Sequence, residues 1–165
     1  YTGKMEDGES MRANGSERIA ERIERVGHHR EFRLVDADQG AGGRPIMITQ
    51  RDVRELQLAK GAMRAGIEIL MKGLGIGPED VAEVYLAGAF GNYIRPEAAL
   101  AIGLLPTFPN AKIIPVGNAA GSGAKMALLS RTAREETLQI LEHAEYLELS
   151  ARPDFQDEFS EAMIF

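Results

Sequence analysis

The chain has 165 residues, 44% of them apolar and 27% charged, with a net charge of −6 at pH 7 and no cysteine. That content suits one globular domain of the common roughly 100–150-residue size class. The acidic balance argues against a nucleic-acid surface, which needs clustered positive charge to displace counterions. No apolar run approaches the about 20 residues that cross a bilayer, so no membrane insertion is expected. Without cysteine the chain makes no disulfide and offers no thiolate ligand to zinc or an iron–sulfur cluster. It opens on Tyr1, and no apolar signal core follows Met5 or Met11, which reads as an internal or C-terminal piece of a longer cytoplasmic protein.

Residues 1–14 are polar and lack a period that would bury a face, and a mobile linker is expected there. The charged run from Ser16 to Val26 predicts a short helix ending at Gly27, so residues 1–30 read as linker or short helix before a domain over 31–165. Glu31 to Val35 alternates as a strand, Asp36 to Arg44 is a glycine loop, and Ile46 to Ile48 a second short strand. Thr49 with Asp52 three residues on forms a variant capping box for a long helix. Along it, Val53, Leu56, Met63, Ile67, Leu70 and Leu74 recur at helical spacing, while Gly61, Ala62, Ala65 and Gly66 permit close packing of another backbone.

The helix is expected to stop at Gly73 or Gly75, before a Pro78-led turn. Val84 to Ala87 then predicts a buried strand, Pro96 to Ile102 a small-residue helix, Ile113 to Val116 another strand and Asn118 to Leu129 a helix. A helix over about Thr132 to Glu142, an edge strand over Tyr146 to Leu149 and an amphipathic helix over Pro153 to Met163 complete the chain. Strands alternating with helices imply crossover units and a largely parallel sheet in this half, an α/β fold.

Two strand ends carry the candidate chemistry. The first runs into Gly88, Ala89, Phe90, Gly91 and Asn92, where glycines let backbone amides face a phosphate or ribose and Phe90 offers a wall for an adenine. The second runs into Gly117 and Asn118 and a helix containing Gly121 and Gly123, whose small side chains leave amide nitrogens accessible to an anion. Ligands of open α/β sheets bind at the carboxyl ends of strands. Alone, the first turn reads more readily as a tight strand-to-helix connection and the second also permits close helix-to-strand packing, but the pair favours a nucleotide over that structural reading.

Other motifs carry less. Lys125 makes no P-loop, because Ala124 precedes it and no Ser or Thr follows, and neither turn has a dinucleotide glycine pattern. His28, His29 and His143 are scattered, and Asp36 and Asp38 suit a solvated turn better than a cation site. No metal site is expected, and no serine, histidine and acid spacing suggests nucleophilic hydrolysis.

The segments Ile48–Gly61, Leu86–Ile94, Ile102–Pro106 and Gly117–Ala124 together resemble the C-terminal domain of the reductive activators of corrinoid proteins. The likeness covers roughly Glu31 to Phe165. It implies membership of the acetate kinase, sugar kinase, heat-shock chaperone and actin (ASKHA) superfamily, with two ribonuclease-H-like halves and ATP, with Mg2+, in the cleft between them. By this resemblance, Gly88, Ala89, Phe90, Gly91 and Asn92 correspond to an adenosine-side strand-turn. Gly117, Asn118, Gly121 and Gly123 would close the same side, with Lys60 and Gln57 facing the ribose or simply solvent.

The family couples ATP hydrolysis to one-electron reduction of Co(II) corrinoid to Co(I), the electron coming from a ferredoxin-like N-terminal domain with a 2Fe-2S cluster. The implied partner is a corrinoid protein or corrinoid-dependent methyltransferase. This sequence lacks the family's cysteines and the N-terminal half expected to carry the phosphate-binding hairpins, so it is expected to supply the adenosine side and not to turn over ATP alone at a useful rate. The alternatives are a non-catalytic interaction or dimerisation module and an ATPase activator of a different radical or dehydratase enzyme. The Pro96 to Ile102 helix suits packing inside the domain or against a second copy in a homodimer.

Overall fold

The structure, a computed structural model, describes residues 17–165, so the linker expected over residues 1–14 lies outside the described residues. The chain divides into two compact units, unit 1 running to Ala62 and adding Met163–Phe165, and unit 2 comprising Met63–Ala162.

Unit 1 begins with helix α1 (Glu17–Ala20), followed by the strands β1 (Ile23–Val26), β2 (His29–Val35) and β3 (Ile46–Thr49). They form an antiparallel meander in the order β1-β2-β3. The helix expected to run to Val26 therefore stops at Ala20, and residues 23–26 are a strand. The reason is pairing: Gly27 takes φ +61° and turns the chain, so that Ile23 to Val26 lie in register with Phe32 to His29. Ile23, Phe32 and Ile48 align across the three strands as a half-buried apolar row, the cross-strand contact that stabilises such a sheet.

Helix α2 (Gln50–Leu74) starts in unit 1 and continues into unit 2. Its first turn is closed as the sequence predicts: Thr49 N–H donates to Asp52 Oδ2 at 2.8 Å, and Asp52 N–H donates to Thr49 Oγ1 at 3.2 Å. Its end is a Schellman turn, with Gly75 at φ +66° and Ile76 N–H donating to Met71 O at 3.1 Å.

The buried face of α2 departs from expectation in its apolar stripe, though Gly61, Ala65 and Gly66 pack closely as expected and Ala62 is exposed. Leu56, Met63, Leu70 and Leu74 are exposed, whereas Lys60, Gly61, Ala65, Gly66, Ile69 and Met71 are buried. Small residues admit the closest neighbours, and it is the small-residue side that is covered.

In unit 2 a 3-10 turn (Pro78–Asp80) leads to β4 (Glu83–Ala87), α3 (Gly88–Tyr93), α4 (Pro96–Ala101) and β5 (Lys112–Gly117). Strands β4 and β5 are parallel neighbours, as a crossover unit requires. Leu86, Ala99, Leu104 and Leu105 form the buried core beside them, with Ile67, Val84 and Ile113 packed against it. The small residues of α4 thus pack inside this unit, where Ala99 is fully buried.

Three further helices follow, α5 (Ala119–Leu129), α6 (Arg131–His143) and α7 (Phe155–Ala162). Neither α5 nor α6 has a buried residue, and Leu128, Leu129, Leu138 and Ile140 lie exposed on them.

The edge strand expected over Tyr146 to Leu149 does not form. Glu148 accepts from Tyr146 Oη and from the amide and hydroxyl of Ser150, and such local side-chain bonds compete with strand pairing. Leu149 packs against Gly66 of α2, where an added Cβ would lie 3.3 Å from Leu149 Cδ1.

Candidate functional site at two glycine turns

Both glycine turns sit at the same end of the same sheet in unit 2. The parallel register runs from Glu83 opposite Lys112 to Ala87 opposite Gly117, with an irregularity after Leu86. At each strand end stands a glycine in the left-handed region, Gly88 just after β4 at φ +70° and Gly117 at the end of β5 at φ +62°. An L side chain at either position would cost about 1–2 kcal/mol.

The turns are also in contact. A Cβ added at Gly91 would fall 2.1 Å from Leu86 O and 3.0 Å from Gly117 N, so α3 rests directly on the end of the sheet and against the second turn. Gly91 is therefore required by close backbone approach whether or not a ligand binds. Ala89, Phe90 and Asn92 lie on α3 with it, but their side chains are outside the described ones, and the adenine wall read at Phe90 is not placed.

Asn118 is the N-cap of α5. Its Oδ1 accepts from Gly121 N–H at 2.9 Å, so one of the amides expected to face an anion is taken by the cap. The amides of Ala119 and Ala120 are the first two of the helix and have no carbonyl four residues back within it. A Cβ at Gly121 would fall 2.6 Å from Asn118 Nδ2, which ties Gly121 to the cap. Gly123 differs: nothing lies within 4 Å of its missing Cβ. A glycine inside a helix costs about 1 kcal/mol relative to alanine, and at Gly123 no packing among the described residues accounts for it.

Gln57 and Lys60 belong to unit 1. Gln57 Nε2 donates to Met163 O at 3.0 Å, Lys60 Nζ donates to Ile164 O, and the ammonium lies 4.6 Å from the centre of the Phe165 ring. The turn residues are brought together at one end of β4 and β5, whereas these two side chains engage the chain's last three residues. Helical spacing showed that Gln57 and Lys60 share a face, and the apolar Met-Ile-Phe ending was the signal for their partner.

Titration is perturbed elsewhere. Thr49 donors hold the Asp52 carboxyl below the usual carboxylate range, and the ion pair with Glu158 raises Lys72. The Ser150 hydroxyl, with that of Tyr146, lowers Glu148, and the Arg152 guanidinium lowers Asp154. None of these groups belongs to either turn, so neither turn carries a tuned acid or base. Among the described residues, no group of three His, Asp or Glu side chains is placed to hold a metal ion. No helix among them is long and apolar enough to cross a membrane.

Residues 5–165 match the family described as the C-terminal domain of RACo, the ASKHA domain. The chain belongs to that family. Its α/β fold is accordingly of the ASKHA, actin-like ATPase class. It is 39% identical over 132 residues to the corrinoid activation enzyme RamQ of Eubacterium limosum, covering 80% of this chain and 22% of that protein. It is also 34% identical over 98 residues to the [Co(II) methylated amine-specific corrinoid protein] reductase of Methanosarcina barkeri, covering 59% of this chain and 18% of that protein.

Among solved structures, the reductive activator for corrinoid, iron-sulfur protein superposes with a TM-score of 0.78 at 34% identity. The superposition covers 99% of this chain and 24% of that one. The chain thus spans about a quarter or less of the length of these relatives.

Proposed function

We propose that this chain supplies the adenosine side of an ATP site in a cytoplasmic reductive activator that returns Co(II) corrinoid proteins to Co(I). The observation that carries the reading is the contact between the two glycine turns at the carboxyl ends of β4 and β5, with Gly91 against Leu86 O and Gly117 N. Such ends are where open α/β sheets bind ligands. Gly88 and Gly117 turn the backbone there, Gly91 brings the two turns together, Asn118 sets the start of α5, and the first turns of that helix carry only the small residues Ala119, Ala120, Gly121, Ser122 and Gly123. Ala89, Phe90 and Asn92 complete the first turn.

The fit to a nucleotide is one of shape: a bare backbone surface and the first amides of a helix suit a phosphate or ribose. When bound with Mg2+, ATP supplies the free energy of hydrolysis that an uphill reduction needs. The residues of this chain bind and orient it. The reduction itself adds one electron to Co(II), and with no cysteine in this sequence a 2Fe-2S donor must be ligated elsewhere. Binding drives conformational change only through different affinity for two states, so this surface acts by closing on a nucleotide that a second half also touches. The fragment alone is expected to bind without turnover.

The test is calorimetric titration of the chain with Mg-ATP, alongside Gly123→Ala, which preserves the fold. Saturable binding weakened at least tenfold by the variant supports the reading. Equal binding by both forms refutes the placement at α5. A folded chain that binds no Mg-ATP, either alone or joined to the remainder of a full-length activator, refutes the nucleotide reading.

A further inference from the structure

The second use of α2 lies in unit 1. Lys60 is 1% exposed. A helical lysine ordinarily runs its stem over apolar surface and keeps its ammonium in water, because burying the cation is costly unless it is compensated. At Lys60 the chain's last residues contribute compensation: the carbonyl of Ile164 accepts from the ammonium and the face of Phe165 lies 4.6 Å from it. One helical turn earlier, Gln57 Nε2 donates to the carbonyl of Met163 at 3.0 Å. These contacts join residues more than a hundred positions apart. The polypeptide reaches Met163 directly from α7, a helix of unit 2, yet Met163–Phe165 belong to unit 1.

We propose that Met163–Phe165 is a latch docked on α2, with Lys60 as its fastener and Gln57 as a second hold. Two of the three contacts are to backbone carbonyls and tolerate changes of side chain at 163 and 164. The third requires an aromatic ring at 165. While the latch is docked, Gln57 and Lys60 are committed to it, and a ligand approaching either side chain must first displace it. The device is independent of the nucleotide reading.

The chain contains no tryptophan, so Phe165→Trp in the full chain places a single emitter in the latch. Its emission is expected to be blue-shifted and shielded from acrylamide, a neutral quencher. Adding Lys60→Met should raise the quenching constant several-fold and shift emission to the red. Lys60→Arg should fall between, because a guanidinium still donates and still stacks on a ring. Gln57→Ala should move the same readout by less. Lys72→Met, which removes a cation paired with Glu158, should leave it unchanged.

Circular dichroism reports folding of each form. If Lys60→Met does not fold, the arginine and Gln57 variants decide. An indole already open to acrylamide in the Phe165→Trp parent overturns the latch, as does one that stays shielded in every folded Lys60 and Gln57 variant.

Discussion

Gly123→Ala separates a ligand surface from a packing surface, because the structure makes opposite demands for stability and binding at this position. Apart from the helix's own backbone, no atom of the described residues lies within 4 Å of the added Cβ, and residue 123 is inside helix α5. The methyl therefore meets no clash and removes the glycine penalty, a gain of about 1 kcal/mol. For a chain of this size that corresponds to a rise in Tm of about 2–4 °C. If α5 lines the nucleotide, the same methyl intrudes on it and weakens Mg-ATP by about tenfold or more.

Gly91→Ala is the contrasting variant. Its Cβ would lie 2.1 Å from Leu86 O, a backbone collision whose relief costs about 1–3 kcal/mol or more. Thermal unfolding by circular dichroism and calorimetric titration read both quantities. A destabilised Gly123→Ala would refute the packing argument, and a stabilised one with unchanged affinity would refute the binding argument.

Leu105→Ala, in the buried core of unit 2, should cost about 2–5 kcal/mol in denaturant unfolding, and a cost below about 1 kcal/mol would mean the core is elsewhere. Asn118→Ala removes the acceptor for Gly121 N–H and should lower stability by about 1 kcal/mol, with Asn118→Ser restoring most of it. The Asp52 carboxyl titrates below its ordinary value in the fold because Thr49 donates to it. Its contribution is therefore fully present above the unfolded value of about 3.9 and lost as pH falls through the lower folded value. Thr49→Ala should flatten that acid limb in a pH series of unfolding midpoints, and an unchanged limb would refute the assignment.

Much of the fold is local and could be read from the chain. Thr49 and Asp52 cap α2 because their side chains satisfy amides three residues apart, and Gly75 ends it because a left-handed residue is needed there. The strands running into Gly88 and Gly117 are equally local, an apolar run ended by a residue free to turn. Where reading failed, the partner decided. Residues 23–26 are a strand because β2 is there to pair with them, and residues 146–149 are not one because Glu148 bonds its own neighbours.

The candidate site divides the same way. The sequence by itself determined that two glycine turns end two strands, and its motifs carried the family. Only the tertiary structure decided that the turns touch, through parallel pairing that sets Ala87 opposite Gly117, and that Gly91 is held by backbone contact while Gly123 is not. It also decided that α2 buries Lys60 and its small residues rather than its leucines. Helical spacing defines which residues share a face, and the elements packed against the helix determine which face is buried.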